Sequence, residues 1–432
     1  MSQKVILAVI LAAAIVAVAQ EPHSALANSP ASPVAVLKLD DVIRDVIATN
    51  PAISAARSTV DAQRRRVVQA GALPDPNFTL SWMGDPVPFK TQAMDPSSYR
   101  GISVMQMFPL GGKRELRREM ARKEVGAFEA DQLATVRRLT AEASSAFYDY
   151  FYSDRALAIT NRNKGRLQQL AEISEARYRV GKAMQQDVLR AQVEVSMLLQ
   201  RAVTLEQQRQ IAAARLNTLM GRPMDATLPP AAEVKKTSLP AISDLAALAE
   251  ANDPMLKRER SMVERNKVAI AMARKEFVPD LSVGYMYQQR PGMPDMHGVQ
   301  FTVNIPIFYK SKQREGVEQA KQELSAAEDN TAARQLELSY QLKQMYAMAV
   351  NADKMMSLYT KAIIPQAELA LQSAESSYSV GTVDFLTVVT NFTTINGYEI
   401  DYVRQLADYQ SALARIEALA GDLSQASSKE SK

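Results

Sequence analysis

A long internal repeat restricts the fold of this 432-residue chain more than any other feature of the sequence. Four short blocks recur in the same order, and the offset between the copies drifts only from 197 to 203 positions. A period of this length exceeds the repeat unit of a solenoid and predicts a domain duplicated within the chain. The blocks begin at positions 50, 101, 178 and 214 and recur at 253, 298, 378 and 414.

Each half opens with a helical segment and continues with two stretches in which apolar and polar residues alternate. The helical segments are 39–70 and 242–275. In the first alternating stretch, Phe78, Leu80 and Trp82 occupy every second position. This period of two is typical of strands with one apolar and one polar face. The predicted strands cover 76–86, 99–108, 279–288 and 298–306.

A long helical hairpin is predicted after the strands of each half. No proline occurs from 110 to 222, and the turn at 178–183 divides this span into two helices. Apolar or small residues recur in the second helix at spacings of three and four, which predicts a coiled-coil seam against the preceding helix. The second half repeats the pattern around a tip at 378–384, and Pro365 predicts a kink before that tip. The two helices of the first half are predicted near 114–177 and 184–220.

The chain ends and the segment between the halves complete the predicted domain organisation. Lys4 precedes an apolar run of about fifteen residues and small-x-small cleavage sites, a pattern typical of a removable secretory signal. The predicted organisation is a signal peptide at 1–27, a first repeat at 28–222, a proline-rich linker at 223–241, a second repeat at 242–421 and a disordered tail at 422–432.

The composition excludes several functional classes. The chain has no cysteine, and removal of the signal leaves His297 as the only histidine, so a thiolate or histidine-based zinc site within one chain is excluded. The net charge is only +4, and basic and acidic residues are interleaved, which predicts no nucleic-acid partner. The sequence has no phosphate-binding glycine loop and no set of nucleophile, base and acid, so we predict neither an enzyme nor a cofactor.

The predicted strands are long enough to cross a membrane, but one copy has too few of them to do so alone. Strands of about ten residues match the length of a tilted membrane-spanning strand. Open sheet edges are not stable in lipid, and about eight strands form the smallest closed membrane barrel. Either the strands lie outside a membrane, or several copies share one barrel. With four strands per copy, two copies would supply eight and three would supply twelve.

Four motifs together carry a resemblance to a known family. They are NP at 50–51, LPDP at 73–76, FPLGGKRELRREMA at 108–121 and the doubled Tyr-x-Val-Gly turn. In this order they resemble the TolC family of outer-membrane efflux channels, over about 39–421. The resemblance implies a mainly α-helical protomer with membrane β-strands. It implies a homotrimer with one 12-stranded β-barrel in outer-membrane lipid and an α-helical tunnel in the periplasm. It also implies two partners, a periplasmic adaptor protein and an inner-membrane transporter of the RND type.

Within the family, LPDP, the GDPVP loop at 84–88 and FPLGGK are most similar to the heavy-metal branch of the Czc and Cus type. This similarity implies a passive exit channel for heavy-metal cations. A drug or polypeptide export channel of the same family is the first alternative. A soluble periplasmic coiled-coil adaptor is a more distant alternative, and it would have one helical hairpin and no alternating aromatic strands.

The two helical tips are the first candidate site. A tight turn between helices needs glycine for a positive φ, which is sufficient reason for the repeated motif. The resemblance adds that the tips dock the adaptor, although Lys182 and Thr382 stand where the family commonly has leucine. The candidate docking residues are Tyr178, Val180, Gly181, Lys182, Tyr378, Val380, Gly381 and Thr382.

Acidic residues after the tips are the second candidate site. Many members of the family narrow the aperture with carboxylates in this region, and a ring of carboxylates favours cations. Here Asp384 is the main candidate aperture residue, and Thr387 and Asp187 are further candidates. The alternative is that Asp384 only complements the dipole at a helix N-terminus.

The segment MPDMH supplies a third and weaker candidate. Thioethers are soft ligands that suit Cu(I), so Met293, Met296 and His297 are candidate ligands for a soft metal. The favoured interpretation is that these methionines fill apolar loop and strand surfaces.

Overall fold

The computed structural model describes residues 36–84, 90–92 and 95–421. The predicted signal peptide and tail lie outside the described residues. Two helices, two strands and a long helical hairpin occur twice in the same order, so the mainly helical, duplicated fold class is confirmed. The first half contains α1 (Leu39–Thr49), α2 (Pro51–Ala70), β1 (Asn77–Met83), β2 (Tyr99–Phe108), α3 (Lys113–Arg179) and α4 (Gln185–Leu219). The second half contains α5 (Ile242–Asn252), α6 (Pro254–Lys275), β3 (Leu281–Gln289), β4 (Met296–Val303), α7 (Gln313–Leu358), α8 (Ile364–Ser379) and α9 (Phe385–Ala420).

The helical segment that opens each half is two helices, and the prediction of one continuous segment is wrong. Proline disfavours a helical conformation in the residue before it, so the first helix ends at Asn50 or Asp253. Each of these residues then caps the next helix. The Asn50 side chain accepts the Ala52 N–H at 2.9 Å. The Asp253 carboxylate accepts the Leu256 N–H at 2.7 Å.

The four strands form one antiparallel sheet in the order β1-β2-β3-β4. Within the described residues, β1 and β4 are therefore the edges of this sheet. Both edge strands carry exposed apolar side chains, for example Leu80 at 65% and Phe301 at 68% exposure. A sheet of this kind leaves backbone donors, backbone acceptors and apolar surface available to another chain.

Proline shifts the bounds of the second strand pair from those predicted. Strand β3 starts at Leu281 rather than at 279, because Pro279 cannot donate to a neighbouring strand. Strand β4 covers Met296–Val303 rather than 298–306. It ends early because the Ile307 N–H bonds back to the Ile305 carbonyl at 2.9 Å, which turns the chain out of the sheet.

The long helices pack as the seam predicts. Helix α3 lies along α4 and also contacts α9, while α7 and α8 lie along α9. Most of the predicted seam of α4 is buried, and Val195 and Leu219 are half-buried. Among the described helices, none has the length and hydropathy needed to cross a membrane. The buried seam residues are Val188, Ala191, Leu198, Ala202, Leu205, Ala212 and Leu216.

Polar side chains also lie in the contact between α3 and α9. Asn163 donates to the Asn396 side-chain oxygen at 2.9 Å, and both residues are buried. One turn away along α9, Glu399 accepts two hydrogen bonds from Arg162 at 2.7 Å each. Buried polar groups are stabilising only when each one finds its partner, so these contacts favour one alignment of the two hairpins.

The helix before the second tip is interrupted by a π-helical turn, Tyr359–Ile363, between α7 and α8. In this turn the Ile364 N–H bonds to the Tyr359 carbonyl, five residues earlier. Pro365 follows, and in a regular α-helix its ring would crowd the carbonyl of Lys361. The interruption predicted at Pro365 therefore takes the form of a wider turn just before the proline.

A buried lysine at the start of α3 forms hydrogen bonds to the segment that precedes β3. Lys113, the first residue of α3, is only 2% exposed. Its ammonium group donates to the Val278 carbonyl and to Asp280 Oδ1, each at 2.8 Å. The same carboxylate oxygen accepts the Leu110 N–H at 3.1 Å. This cluster joins the end of β2 to the start of β3.

We expect Asp280→Asn to lower the free energy of unfolding by about 3 kcal/mol, because it leaves the buried Lys113 charge without its closest counter-ion. Chemical unfolding of the purified protein measures this difference. Glu142→Gln is the matched control, since it removes the exposed ion pair with Arg138 and is expected to cost less than about 1 kcal/mol. Equal losses in the two variants would contradict a structural role for the buried pair.

Candidate functional site

The first tip is a Schellman turn that ends α3. Gly181 has a φ of 71°, which lies in the left-handed region that favours glycine. Its N–H donates to the Tyr178 carbonyl at 2.9 Å. The next N–H, that of Lys182, donates to the Arg177 carbonyl at 2.8 Å. These two bonds complete the motif with backbone groups alone.

The second tip has the same geometry. Gly381 has a φ of 83°, and its N–H donates to the Tyr378 carbonyl at 3.1 Å. The Thr382 N–H and hydroxyl both donate to the Ser377 carbonyl, each at 3.0 Å. The repeated sequence motif is therefore a repeated turn, and glycine is required in both copies for the same conformational reason.

The two tips contact each other through Arg177 and Tyr378. The Arg177 guanidinium lies over the Tyr378 ring, 4.5 Å from its centre. It also donates to the Tyr378 backbone carbonyl at 3.1 Å. The Tyr378 ring also contacts the ring of the buried Phe385, with ring centres 5.4 Å apart. A cation–π contact and a charged hydrogen bond thus join the end of α3 to the end of α8.

The predicted docking residues differ in accessibility. Seven of the eight are exposed, and Tyr378 is half-buried by the contact with Arg177. Val180 and Val380 are 67% and 74% exposed, although both are apolar. Apolar side chains held at the end of a rigid turn are suited to contact with another protein.

Asp384 is the N-cap residue of helix α9, and its hydrogen bonds there favour the ionised carboxylate. Its carboxylate accepts hydrogen bonds from the Thr387 hydroxyl and from the Thr387 N–H, the latter at 3.0 Å. These two bonds, the hydroxyl first, lower the pKa of Asp384 below its usual value. The side chain is exposed, so it presents a negative charge to solvent next to the second tip.

Asp187 occupies a similar place beside the first tip, but it is half-buried. Its carboxylate accepts the Met184 N–H at 3.4 Å, which is a long hydrogen bond. The two candidate aperture carboxylates therefore differ in exposure, and Asp384 is the more accessible of the pair.

Two of the three candidate metal ligands, Met296 and His297, lie on opposite faces of the sheet. They are successive residues of β4, and the side chains of successive strand residues alternate between the two faces. His297 Nδ1 already shares a 2.6 Å hydrogen bond with the Tyr285 hydroxyl. Among the described residues, no group of three or more His, Asp or Glu side chains is arranged to hold a metal ion.

Sequence analysis did not identify Arg177 or Phe385 as parts of the tip. The sequence shows that Arg177 lies next to the repeated tyrosine and that Phe385 follows Asp384. Neither pattern indicates that the two hairpins meet. The contact joins residues 201 positions apart, and only the fold brings them together.

Comparison with known proteins identifies the fold. The solved structure of CusC superposes with a TM-score of 0.76 at 16% identity, over 89% of this chain and 92% of CusC. VceC, an outer-membrane protein of Vibrio cholerae, gives 0.74 at 16% identity, over 89% of this chain and 96% of its own. The MtrE outer-membrane channel of Neisseria gonorrhoeae gives 0.73 at 17% identity, over 89% of each chain. No curated protein sequence matches the chain significantly.

The chain thus has the fold of outer-membrane channel proteins. The sequence matches the outer membrane efflux protein family over 42–222 and again over 245–422, and the chain belongs to this family. It is therefore an outer-membrane efflux protein, which confirms the resemblance to the TolC family. The alternative of a soluble periplasmic adaptor is wrong, because the chain belongs to this family and its described residues form two helical hairpins and four strands instead of one hairpin and none.

We expect Gly181→Ala and Gly381→Ala each to lower the free energy of unfolding by about 1 kcal/mol, because alanine is strained at positive φ. A Cβ at either position would meet no atom within 4 Å, so steric overlap adds nothing. Chemical unfolding again provides the measurement.

Gly165→Ala is the matched control for these tip variants. Gly165 lies inside α3, and a Cβ there also meets no atom within 4 Å. Its backbone is helical, so alanine is expected to stabilise the protein by up to about 1 kcal/mol. A stabilising effect of alanine at the tips as well would contradict the conformational requirement for glycine.

Proposed function

We propose that three copies of this chain form the outer-membrane exit channel of a tripartite efflux pump. The incomplete sheet is the observation that carries this proposal, because β1 and β4 end the sheet in the described chain and expose apolar side chains. Open edges are not stable in lipid. Three copies of a four-stranded sheet, joined edge to edge, supply twelve strands and leave no edge.

Exposed apolar stripes on the long helices support the same assembly. Helix α4 has a stripe on the side opposite its seam, and α7 with α8 has another. Because α3 and α9 are already neighbours within the chain, a ring of copies brings α4 of one copy against α7 and α8 of the next. The helices then enclose a tunnel. The two stripes are Leu189, Val193, Met197, Val203 and Ile211, and Leu336, Tyr340, Met348, Leu358 and Leu369.

The tips are the proposed docking surface for a periplasmic adaptor protein. Exposed Val180 and Val380 supply apolar contact area, while Lys182 and Thr382 make the two tips chemically different. The adaptor links the channel to an inner-membrane transporter of the RND type, which supplies the energy. This chain then acts as a passive duct.

The second tip is the proposed aperture, with Asp384 as the residue that favours cations. Three copies would place three such carboxylates around one axis, and a ring of carboxylates attracts cations. The hydrogen bonds from Thr387 keep the carboxylate ionised, since a lowered pKa means that charge is lost only when the pH falls below the usual aspartate range.

We expect Asp384→Asn to reduce the cation-over-anion permeability ratio several-fold in planar bilayers. In the unaltered channel this ratio is expected to stay constant between about pH 7 and about pH 5, because the lowered pKa of Asp384 keeps it charged there. Asp187→Asn is the control, as the less exposed carboxylate at the other tip. A larger effect of Asp187→Asn would move the proposed aperture to the first tip.

Heavy-metal cations are the proposed substrate class. The similarity of LPDP and FPLGGK to the heavy-metal branch and the exposed carboxylate beside the second tip both favour this class. A channel for drugs or polypeptides is the alternative within the same family. A passive duct needs no resident metal site, so the separation of Met296 from His297 does not weigh against metal export.

Deletion of the gene tests the substrate class. We expect lower tolerance to copper, silver or zinc salts, with tolerance to organic toxicants unchanged, because only the exit path for cations is lost. Growth across concentration series measures both, and complementation with the intact chain is the control. Unchanged metal tolerance together with lower tolerance to organic toxicants would favour the drug channel.

A further inference from the structure

The internal repeat relates the two strand pairs residue by residue. In the first pair Leu80 lies opposite Ile102. In the second pair Tyr285 lies opposite Val299. Asp75 of LPD and Asp280 of VPD set an offset of 205 for β1 and β3, two more than at the start of the repeat, because α6 has 22 residues and α2 has 20. Gly101 and Gly298 set an offset of 197 for β2 and β4. At these offsets β1 takes the place of β3, and β2 takes the place of β4, in an unchanged register. The other pairs keep this correspondence: Phe78–Val104 with Val283–Phe301, and Trp82–Arg100 with Tyr287–His297.

Within the chain, the two strand pairs are joined by β2 and β3. Val104 lies opposite Tyr285 in this contact. The same relation at the open edges sets β4 of one copy against β1 of the next. There Phe301 takes the place of Val104, and Leu80 takes the place of Tyr285. The resulting register pairs Val303 with Phe78, Phe301 with Leu80, and Val299 with Trp82.

The ion pair of Lys113 with Asp280 at the base of β2 and β3 has a counterpart in the internal repeat. Within one chain, the residues of this counterpart do not meet. Asp75 in LPD corresponds to Asp280 in VPD, and Gln313, the first residue of α7, corresponds to Lys113. Asp75 and Lys312 are both exposed. Gln313 carries no charge, so the exposed Lys312 beside it supplies the cation at this position. The acidic and basic parts of this second contact thus lie on opposite edges of the same sheet.

We propose that the loop 73–75 of one copy docks against the start of α7 in the next copy, where the Asp75 carboxylate accepts a hydrogen bond from the Lys312 ammonium group. The edge strands of the two copies then pair in the register that places Phe301 opposite Leu80. This inference rests on the proposed trimer and adds to it the register and the polar contact that closes each junction. A charged pair at the rim of such an interface specifies the register as much as it stabilises it.

Cysteine cross-linking tests the register, because the chain has no cysteine of its own. Opposite residues in an antiparallel pair have Cα atoms about 4.5–5.5 Å apart, within the reach of a disulfide. We expect the full chain with Leu80→Cys and Phe301→Cys, oxidised in outer membranes, to run as covalent dimers and trimers on a non-reducing gel. Leu80→Cys with Gln300→Cys is the control and is expected to stay monomeric on the gel, because Gln300 projects from the other face.

Size in detergent separates this inference from the trimer itself. A trimer in which the control pair links and the Phe301 pair does not would overturn the register and leave the trimer standing. A monomer would overturn the trimer and the register together.

Charge reversal tests the polar contact. We expect Asp75→Lys to make the trimer dissociate in detergent at a lower temperature, and Lys312→Asp in the same chain to restore it. Asp61→Lys, an exposed charge reversal on α2 away from the junction, is expected to leave the dissociation temperature unchanged. The proposed contact is wrong if Asp75→Lys has no effect or if Lys312→Asp does not restore the trimer.

Discussion

The packing of α3 against α9 joins the two halves of the chain along their helices, and the rest of the structure depends on it. Its apolar part is a buried cluster that includes Phe151, Ile400 and Leu406. Its polar part is the hydrogen bond between buried Asn163 and Asn396. Apolar surfaces alone allow neighbouring helices to shift, whereas a buried polar pair is satisfied in one alignment. The alignment of the hairpins then determines what meets at each end.

At one end this alignment brings Arg177 over Tyr378, and at the other it allows β2 to pair with β3. The two halves therefore contact each other along the helices, in the sheet and at the tips. Because the chain is a duplication, its internal contact is also a template for contact with another copy. The open edges of the sheet and the exposed apolar stripes on α4, α7 and α8 are surfaces that have no such contact within one described chain.

The fold class was predictable from sequence because spacing carries it. The repeat, the alternation around Leu80 and the seam of α4 each follow from the geometry of strands and helices. The break at Asn50 was predictable too, since proline follows it, but the helical periodicity on both sides concealed it. The contact of Arg177 with Tyr378 was not predictable, because it depends on the alignment of two hairpins. A different reason applies to the candidate metal ligands. The predicted strand began at 298, whereas β4 begins at Met296, so Met296 and His297 are successive strand residues and lie on opposite faces.

The turns at Gly181 and Gly381 have an evolutionary consequence. Their hydrogen bonds run between backbone groups, apart from one added by the Thr382 hydroxyl, so the turn places almost no demand on the side chain that follows the glycine. Lys182 and Thr382 show that one turn tolerates a long cation and the other a small hydroxyl. Natural selection can therefore vary these positions for partner recognition at little cost to folding. Two tips that began as identical copies are in this way free to become specialised for different contacts.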